Sequence, residues 1–266
     1  MTSMSEHFAA DWLALREPAD HRARPDTLIN PLNAAIATSD AVRVLDLGAG
    51  TGSNYRYLAP KLIRPQRWTL YDHDPALLAH TANENGVKPL AGDLQALIGP
   101  YGQSLLAETD LITASALLDL VSAAWLTALI EQIAARRIPA LFALSYNGHI
   151  ESIPATVADQ ALVQAINTHQ RNDKGFGPAL GPDASDYCAE RFRQHGYRVY
   201  LADSPWQLGP SEVELQQLLV TGWVQAASQA QPDHAAAFAQ WQQDHLQQIS
   251  HKRLHVGHQD ILALPT

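Results

Sequence analysis

The chain has 266 residues, 46% apolar and 17% charged, which suits one large α/β domain with insertions. Its net charge of -9 with His neutral argues against a broad nucleic-acid surface, because phosphate binding needs clustered Lys and Arg. Cys188 is the only cysteine, so no intrachain disulfide or cysteine metal site can form, and Met1 to Ala10 lacks the basic start and apolar core of a secretion signal. No apolar run is long enough to span a bilayer, so the expectation is a cytoplasmic chain with no membrane partner.

In chain order, a helix, a loop and a second helix are expected over residues 1–40. Phe8, Trp12 and Leu15 fall at helical spacing, Pro18 is expected to stop that helix, and Pro25 to Ile36 can hold another amphipathic stretch. Asp20, His21, Arg22 and Arg24 lie in the connection, where two readings stand: a solvated link, or a segment folded over a cleft in the core.

Val42-Arg43-Val44-Leu45-Asp46-Leu47 then reads as a buried strand, Gly48-Ala49-Gly50-Thr51-Gly52 as a tight turn, and Ser53 onward as a helix carrying Tyr55, Leu58 and Leu62. A dinucleotide fingerprint needs glycine or alanine where Ser53 stands, and a Walker loop needs a Gly-Lys-Ser/Thr that is missing. Asp46 suits an ammonium group better than a phosphate. The Asp-x-Gly-x-Gly-x-Gly pattern resembles motif I of the class I S-adenosylmethionine-dependent methyltransferases. That resemblance implies that Gly48, Ala49, Gly50 and Gly52 receive the methionine part of the cofactor, with amides and the helix N-terminus near its carboxylate and Asp46 near its amino group.

The next strand, Arg67 to Tyr71, ends at Asp72, at the distance past the glycines where a carboxylate reaches a ribose diol; His73 beside it joins the cofactor-binding set. Asp74-Pro75 is a helix start, with the helix expected over Ala76 to Glu84. A third strand, Val87 to Ala91, ends at Gly92-Asp93. The resemblance implies that Asp93 contacts the adenine amino group and that Leu94 lines the ring or offers its amide.

The fourth strand is expected over Asp110 to Leu118; Ser115 within it is placed with the cofactor-binding residues, and Ser122 caps the helix that follows. Asp119 between them is the first candidate to touch the acceptor, as a general base or as a loop cap. The fifth strand, Pro139 to Tyr146, leads to Asn147-Gly148-His149. Tyr146 and Asn147 are candidates to orient the acceptor, and His149 to deprotonate it, because ligands of open α/β sheets bind at that edge.

Beyond Glu151 the chain leaves the common core. His169 is a third candidate base, and Arg171 and Lys174 suit an anionic group on the acceptor, ahead of two Gly-Pro pairs that fit a lid or a static turn. A helix over Asp186 to Gln194 and a sixth strand over Tyr197 to Ala202 follow. After Trp206, a candidate acceptor contact, Ser211-x-x-Glu214 is a capping box, and Asp233 after Pro232 is expected to cap a second helix. Leu254 to Leu264 closes the sheet. The resemblance covers Val42 to Tyr146, with Asp186 to Ala202 and Arg253 to Leu264 added by motif order and spacing.

The expected fold is α/β and Rossmann-like: a mostly parallel seven-stranded sheet flanked by helices, with its last strand antiparallel and helical insertions forming an acceptor cap. One domain over 1–266 is expected, comprising a helical cap (1–40), a cofactor core (41–147), a lid-like insertion (148–185) and a C-terminal half (186–266) that contains a two-helix insertion (207–250). The expected activity is methyl transfer from S-adenosylmethionine to a small molecule at O, N or C, with no metal. The alternatives are a non-catalytic cofactor-binding sensor or scaffold and an NAD-dependent oxidoreductase. A nucleic-acid partner is disfavoured by charge, and a homodimer stays open.

Overall fold

The apolar runs become strands: β1 (Val42–Leu47), β2 (Gln66–Asp72), β3 (Val87–Ala91), β4 (Leu111–Ser115), β5 (Ala140–Ile153), β6 (Tyr197–Asp203), β7 (Trp206–Leu208) and β8 (Arg253–Pro265). They come from a computed structural model describing residues 10–37, 40–82 and 84–266; Phe8, assigned to the first helix by its spacing, lies outside the described residues. The sheet order is β3-β2-β1-β4-β5-β8-β6. Neighbours from β3 to β5 are parallel, and β8 runs antiparallel to both β5 and β6. The short β7 adds an eighth strand against β8, where seven were expected.

Helices are α1 (Ala10–Ala23), α2 (Ile29–Ala35), α3 (Ser53–Leu58), α4 (Pro75–Leu78), α5 (Pro100–Ala107), α6 (Ala123–Ala135), α7 (Asp159–Gln170), α8 (Ala184–Gln194), α9 (Val213–Ala230) and α10 (Ala235–Gln247). Both sheet faces are covered, so β1 is apolar almost throughout and only Arg43 is exposed. Leu45, Ile112 and Phe142 pack with Leu126 of α6 and Phe192 of α8 on one face; Val44, Leu70 and Leu141 pack with Leu32 of α2 and Leu58 of α3 on the other.

Several boundaries depart from the sequence reading. Helix α1 does not stop at Pro18 but continues to Ala23. Pro18 and Ala14 are both exposed, so the carbonyl that loses its helical partner faces water. The helix expected to Glu84 is a single turn over Pro75–Leu78 followed by a 3₁₀ turn, though Asp74 does cap it by accepting from the Ala76 amide at 2.8 Å. Helix α9 is entered through a 3₁₀ turn in which Glu212, not Glu214, reaches back to the Gly209 amide, and Asp233 lies in a 3₁₀ turn before α10.

The largest departure is β5, which continues through Asn147-Gly148-His149 to Ile153 where a loop was expected. Its pairing slips twice, around Leu144 (φ 54°) and around Gly148 (φ 85°). Each slip is a bulge that bends the strand. Beyond them Ile150 to Ser152 pair with Val256 to Leu254, whose other edge takes Trp206 to Leu208. This three-stranded extension rises past the carboxyl edge of the sheet. A separate core around Leu162, Ile166, Leu215, Val224, Phe238 and Trp241 packs α7, α9 and α10 against it.

Helix α1 is fastened to the sheet by charge. Arg24, its side chain 3% exposed, donates through Nη1 to Asn54 Oδ1 at 2.6 Å and through Nε to Asp260 Oδ2 at 3.2 Å. Asp260 also accepts from the Leu144 amide at 2.8 Å and the Ser204 hydroxyl at 2.6 Å, so it holds the bulge as well. An unpaired buried guanidinium is costly. Asp260→Ala is therefore expected to destabilise the chain by roughly 3–5 kcal/mol, read from urea unfolding midpoints. An Arg24→Met/Asp260→Leu double variant should lose less than that single variant.

Candidate functional site

A cavity of about 460 Å³ opens at the carboxyl ends of β1, β2, β3 and β4. Open α/β sheets bind ligands at this edge. Its floor is the glycine loop. At Gly50 (φ 53°) an added Cβ would stand 3.1 Å from Leu13 Cδ1, so α1 lies directly across the loop. Gly48 and Ala49 also line the cavity, whereas Gly52 does not: at φ 86° its missing Cβ would meet Thr81 Cγ2 at 2.5 Å. Gly52 is therefore a packing glycine, not a ligand contact.

Asp72, 5% exposed, stands on the cavity wall at the tip of β2. Its Oδ2 accepts from the Gly50 amide at 2.8 Å and its Oδ1 from the Asp74 amide at 3.0 Å, while His73 Nδ1 lies 3.2 Å from Oδ1. Two carboxylate oxygens offer about four acceptor directions. The loop bonds orient the group and leave acceptor capacity for a ligand.

Past β3, Asp93 accepts from the Gln95 amide at 2.8 Å, and Tyr71 holds the Asp93 carbonyl at 2.8 Å. Asp93, Leu94 and Gln95 line this end of the cavity with Lys174, Gly175 and Phe176. Gln95 Nε2 donates to the Gly175 carbonyl at 2.7 Å and Phe176 packs edge-on to Trp125 at 5.5 Å, which fixes Leu94 and Phe176 as the apolar part of this end of the cavity. At the tip of β4, Ser115, Ala116 and Leu117 complete the floor. Ala116 is held at φ 53° with its amide on the Ala143 carbonyl at 2.9 Å. A left-handed alanine is strained, and here it sits on the wall of the cavity.

Asp46 departs from its expected place beside a ligand. It is wholly buried and does not line the cavity; Asn54 Nδ2, which does line it, donates to Asp46 Oδ1 at 2.7 Å and to Thr113 Oγ1 at 2.9 Å. Burial pushes the Asp46 pKa up to about 7, opposed by the Asn54 hydrogen bond and the Arg24 charge.

The three candidate bases are not on the wall. Asp119, 8% exposed, follows Leu117 and precedes Leu120, both of which line the cavity, but its own carboxyl lies near Tyr146, whose hydroxyl pKa is raised by burial and then by that charge. His149 is exposed on the β5 extension against His255, because the strand carries it past the edge where a loop would have turned it inward. His169 faces Gln229 of α9 at 3.0 Å. Of the acceptor candidates, Lys174 is on the wall. Tyr146 is bonded to Asn167 at 2.8 Å, Asn147 is exposed, Arg171 pairs with Asp183 at 2.8 Å, and Trp206 stands behind α1.

The segment of Asp20 does fold over the cleft, the second of its two readings, and the wall residues not singled out from sequence include Leu13 and Arg16 of α1 with Asn54, Gln95, Leu117 and Phe176. Leu13, Arg16 and Asp20 line the cavity at i, i+3, i+7. Glu17, His21 and Arg24 form a second stripe at i, i+4, i+7 that grips α3 through Arg56, Ser53 and Asn54. Both stripes are legible in the sequence once Pro18 is allowed inside the helix.

No protein-family model and no curated protein sequence matches the chain. Solved structures do. The cyclopropane synthase MmaA2 of Mycobacterium tuberculosis aligns over 98% of this chain and 100% of its own at a TM-score of 0.50 and 12% identity. The YcgJ protein of Bacillus subtilis aligns over 92% and 99% at 0.51 and 11%. A Geobacter sulfurreducens S-adenosylmethionine-dependent methyltransferase in complex with S-adenosylhomocysteine aligns over 97% and 99% at 0.45 and 15%. The first two likenesses, with the strand order and the antiparallel β8, give the chain a Rossmann-like fold with a mostly parallel sheet.

The buried Asp46 sets a pH dependence. The folded chain keeps the proton up to about pH 7, while the unfolded chain releases it near 3.8, so the unfolded state binds fewer protons between those values and stability falls as pH rises through that window. Asp46→Asn removes this component. Its urea midpoint, compared with wild type at pH 5 and pH 8, should decline less on going to pH 8.

Proposed function

We propose that the chain transfers a methyl group from S-adenosylmethionine to a small-molecule acceptor. The observation that carries the reading is the order of groups along one cavity: the end lined by Asp93, Leu94 and Phe176, then the oriented Asp72 carboxylate, then the open glycine loop under α1. An adenine ring, a ribose diol and an amino-acid tail follow one another in that order. The residues fit the cofactor: Asp72 retains acceptor capacity for two hydroxyls, and Gly48, Ala49 and Gly50 put backbone and one methyl group on the cavity wall beside it.

When bound, the cofactor supplies a sulfonium methyl carbon that is already electrophilic. The chain's part is to align the acceptor and exclude water, which in well-oriented intramolecular reactions is worth ~7–11 kcal/mol. Ser115, Ala116 and Leu117 form the floor for this step, and α1 with Lys174 to Phe176 forms the cover. Because Asp119, His149 and His169 are off the wall, the reading gives the chain an orienting role and assigns none of them a proton transfer. The limited volume of the cavity, about 460 Å³, and the acidic net charge support a small acceptor over a nucleic acid.

Calorimetric titration with S-adenosylmethionine, S-adenosylhomocysteine and NAD tests the cofactor. Both adenosyl ligands should bind and NAD should not, and Asp72→Ala should weaken adenosyl binding by about 1.5–3 kcal/mol, the range for hydrogen bonds to a charged group. Binding of NAD alone would overturn the reading. Methyl label from the cofactor should then pass into small molecules of a cell extract; binding without any transfer would favour the sensor or scaffold.

A further inference from the structure

The acid expected beside the cofactor's amino group, Asp46, is sealed behind Asn54, yet the wall above the glycine loop carries another carboxylate already paired with a cation. Arg16 and Asp20, one helical turn apart on α1, form a two-pronged pair: Arg16 Nε donates to Asp20 Oδ2 at 3.0 Å and Nη2 to Oδ1 at 3.1 Å. Behind it, the Trp206 indole N–H donates to Asp20 Oδ1 at 3.0 Å and the Arg16 guanidinium lies 5.0 Å from the Trp206 ring centroid. The pair is thus fixed in place before any ligand arrives.

We propose that Arg16 and Asp20 form the subsite for the amino-acid end of the adenosyl cofactor, Asp20 receiving the α-ammonium and Arg16 the α-carboxylate; this rests on the cofactor reading above. Asp20 Oδ1 is filled by two donors, but Oδ2 accepts only one and keeps a lone pair. Arg16 has spent Nε and one Nη2 hydrogen on Asp20, and among the described residues its Nη1 makes no hydrogen bond. A free acceptor on Asp20 and a free double donor on Arg16, at the two ends of one ion pair, match the ammonium and the carboxylate of a zwitterion set antiparallel to the Arg16–Asp20 dipole.

Position supports the same assignment. Asp72 bonds the Gly50 amide, and Gly50 lies under Leu13. Gly48, Ala49, Asp72, Arg16 and Asp20 line one cavity, so a ligand held by its ribose at Asp72 shares that cavity with the face of α1 that carries Arg16 and Asp20. Both are on the cavity wall, with Asp20 7% exposed, so the ion contacts are shielded from water and salt.

The test is calorimetry on the full chain with three ligands: S-adenosylhomocysteine, decarboxylated S-adenosylmethionine, and 5′-methylthioadenosine, which lacks the amino-acid end. Asp20→Asn should weaken S-adenosylhomocysteine and the decarboxylated ligand by about tenfold or more, the size of one charge-assisted hydrogen bond, and leave methylthioadenosine unchanged. Arg16→Gln should weaken S-adenosylhomocysteine similarly and spare the two ligands without a carboxylate. Retained methylthioadenosine binding shows that each variant is folded. Equal losses on all three ligands, or no loss on S-adenosylhomocysteine, would overturn the proposal while leaving the cofactor reading intact. Failure of the wild-type chain to bind any of them would overturn both.

Discussion

The Arg24 guanidinium, buried between Asn54 and Asp260, is the contact on which the cavity depends. A charge in so dry a place stays only because its partners are fixed, and those partners belong to the parts that must be brought together: Asn54 opens α3 beneath the glycine loop, and Asp260 sits on β8. Asn54 in turn bonds Asp46 and Thr113, joining β1 to β4, and Asp260 bonds the Leu144 amide of β5. One side chain from the residue after α1 thus closes a polar chain across four strands. Without it, α1 would lack the anchor that lays Leu13, Arg16 and Asp20 over the loop.

Polar closure of this kind explains where the backbone strain lies. Ala116, just past the end of β4, and Leu144, at the first bulge of neighbouring β5, both take left-handed conformations, and each is tied by its amide, to the Ala143 carbonyl and to the Asp260 carboxylate. Such residues persist only where surrounding bonds over-determine them. The result at Ala116 is a floor of backbone and small side chains against the cavity. The result at Leu144 is a bend that sends β5 upward, so that its distal half becomes a wall for α7, α9 and α10 and adds no edge to the ligand site.

The core was legible because its signals are local. The β1 to β4 runs, the glycine loop, Asp72 at the tip of β2, Asp93 after β3 and the Ser122 cap all follow from period, spacing and turn chemistry. The misplaced residues are those whose position is decided by partners far along the chain. Nothing near His149 announces that Val256 and His255 will extend its strand, and nothing near Asp46 announces that Asn54 will cover it. Pro18 is an instructive case: the rule that proline ends a helix holds for a buried carbonyl, and here Ala14 is exposed. Taking the rule as absolute cut α1 in two and hid both of its stripes.

The division of labour in the chain follows from the same difference between local and distant constraint. Asp72 and Ser115 on the cavity wall sit on strand tips, where a parallel sheet fixes them to its own spacing. The covering residues come from the N-terminal helix and from Lys174 to Phe176, which meet the core through side chains: Arg24 on Asn54, Glu17 on Arg56, Gln95 on the Gly175 carbonyl. Changing a strand tip disturbs pairing with both neighbours. Changing Leu13 or Phe176 alters the shape of the cover and leaves the sheet hydrogen bonds in place. The strand tips, held by pairing on both sides, are therefore the constrained part of the cavity wall, and the cover, held by side chains, is the part whose shape and charge can change without disturbing the sheet.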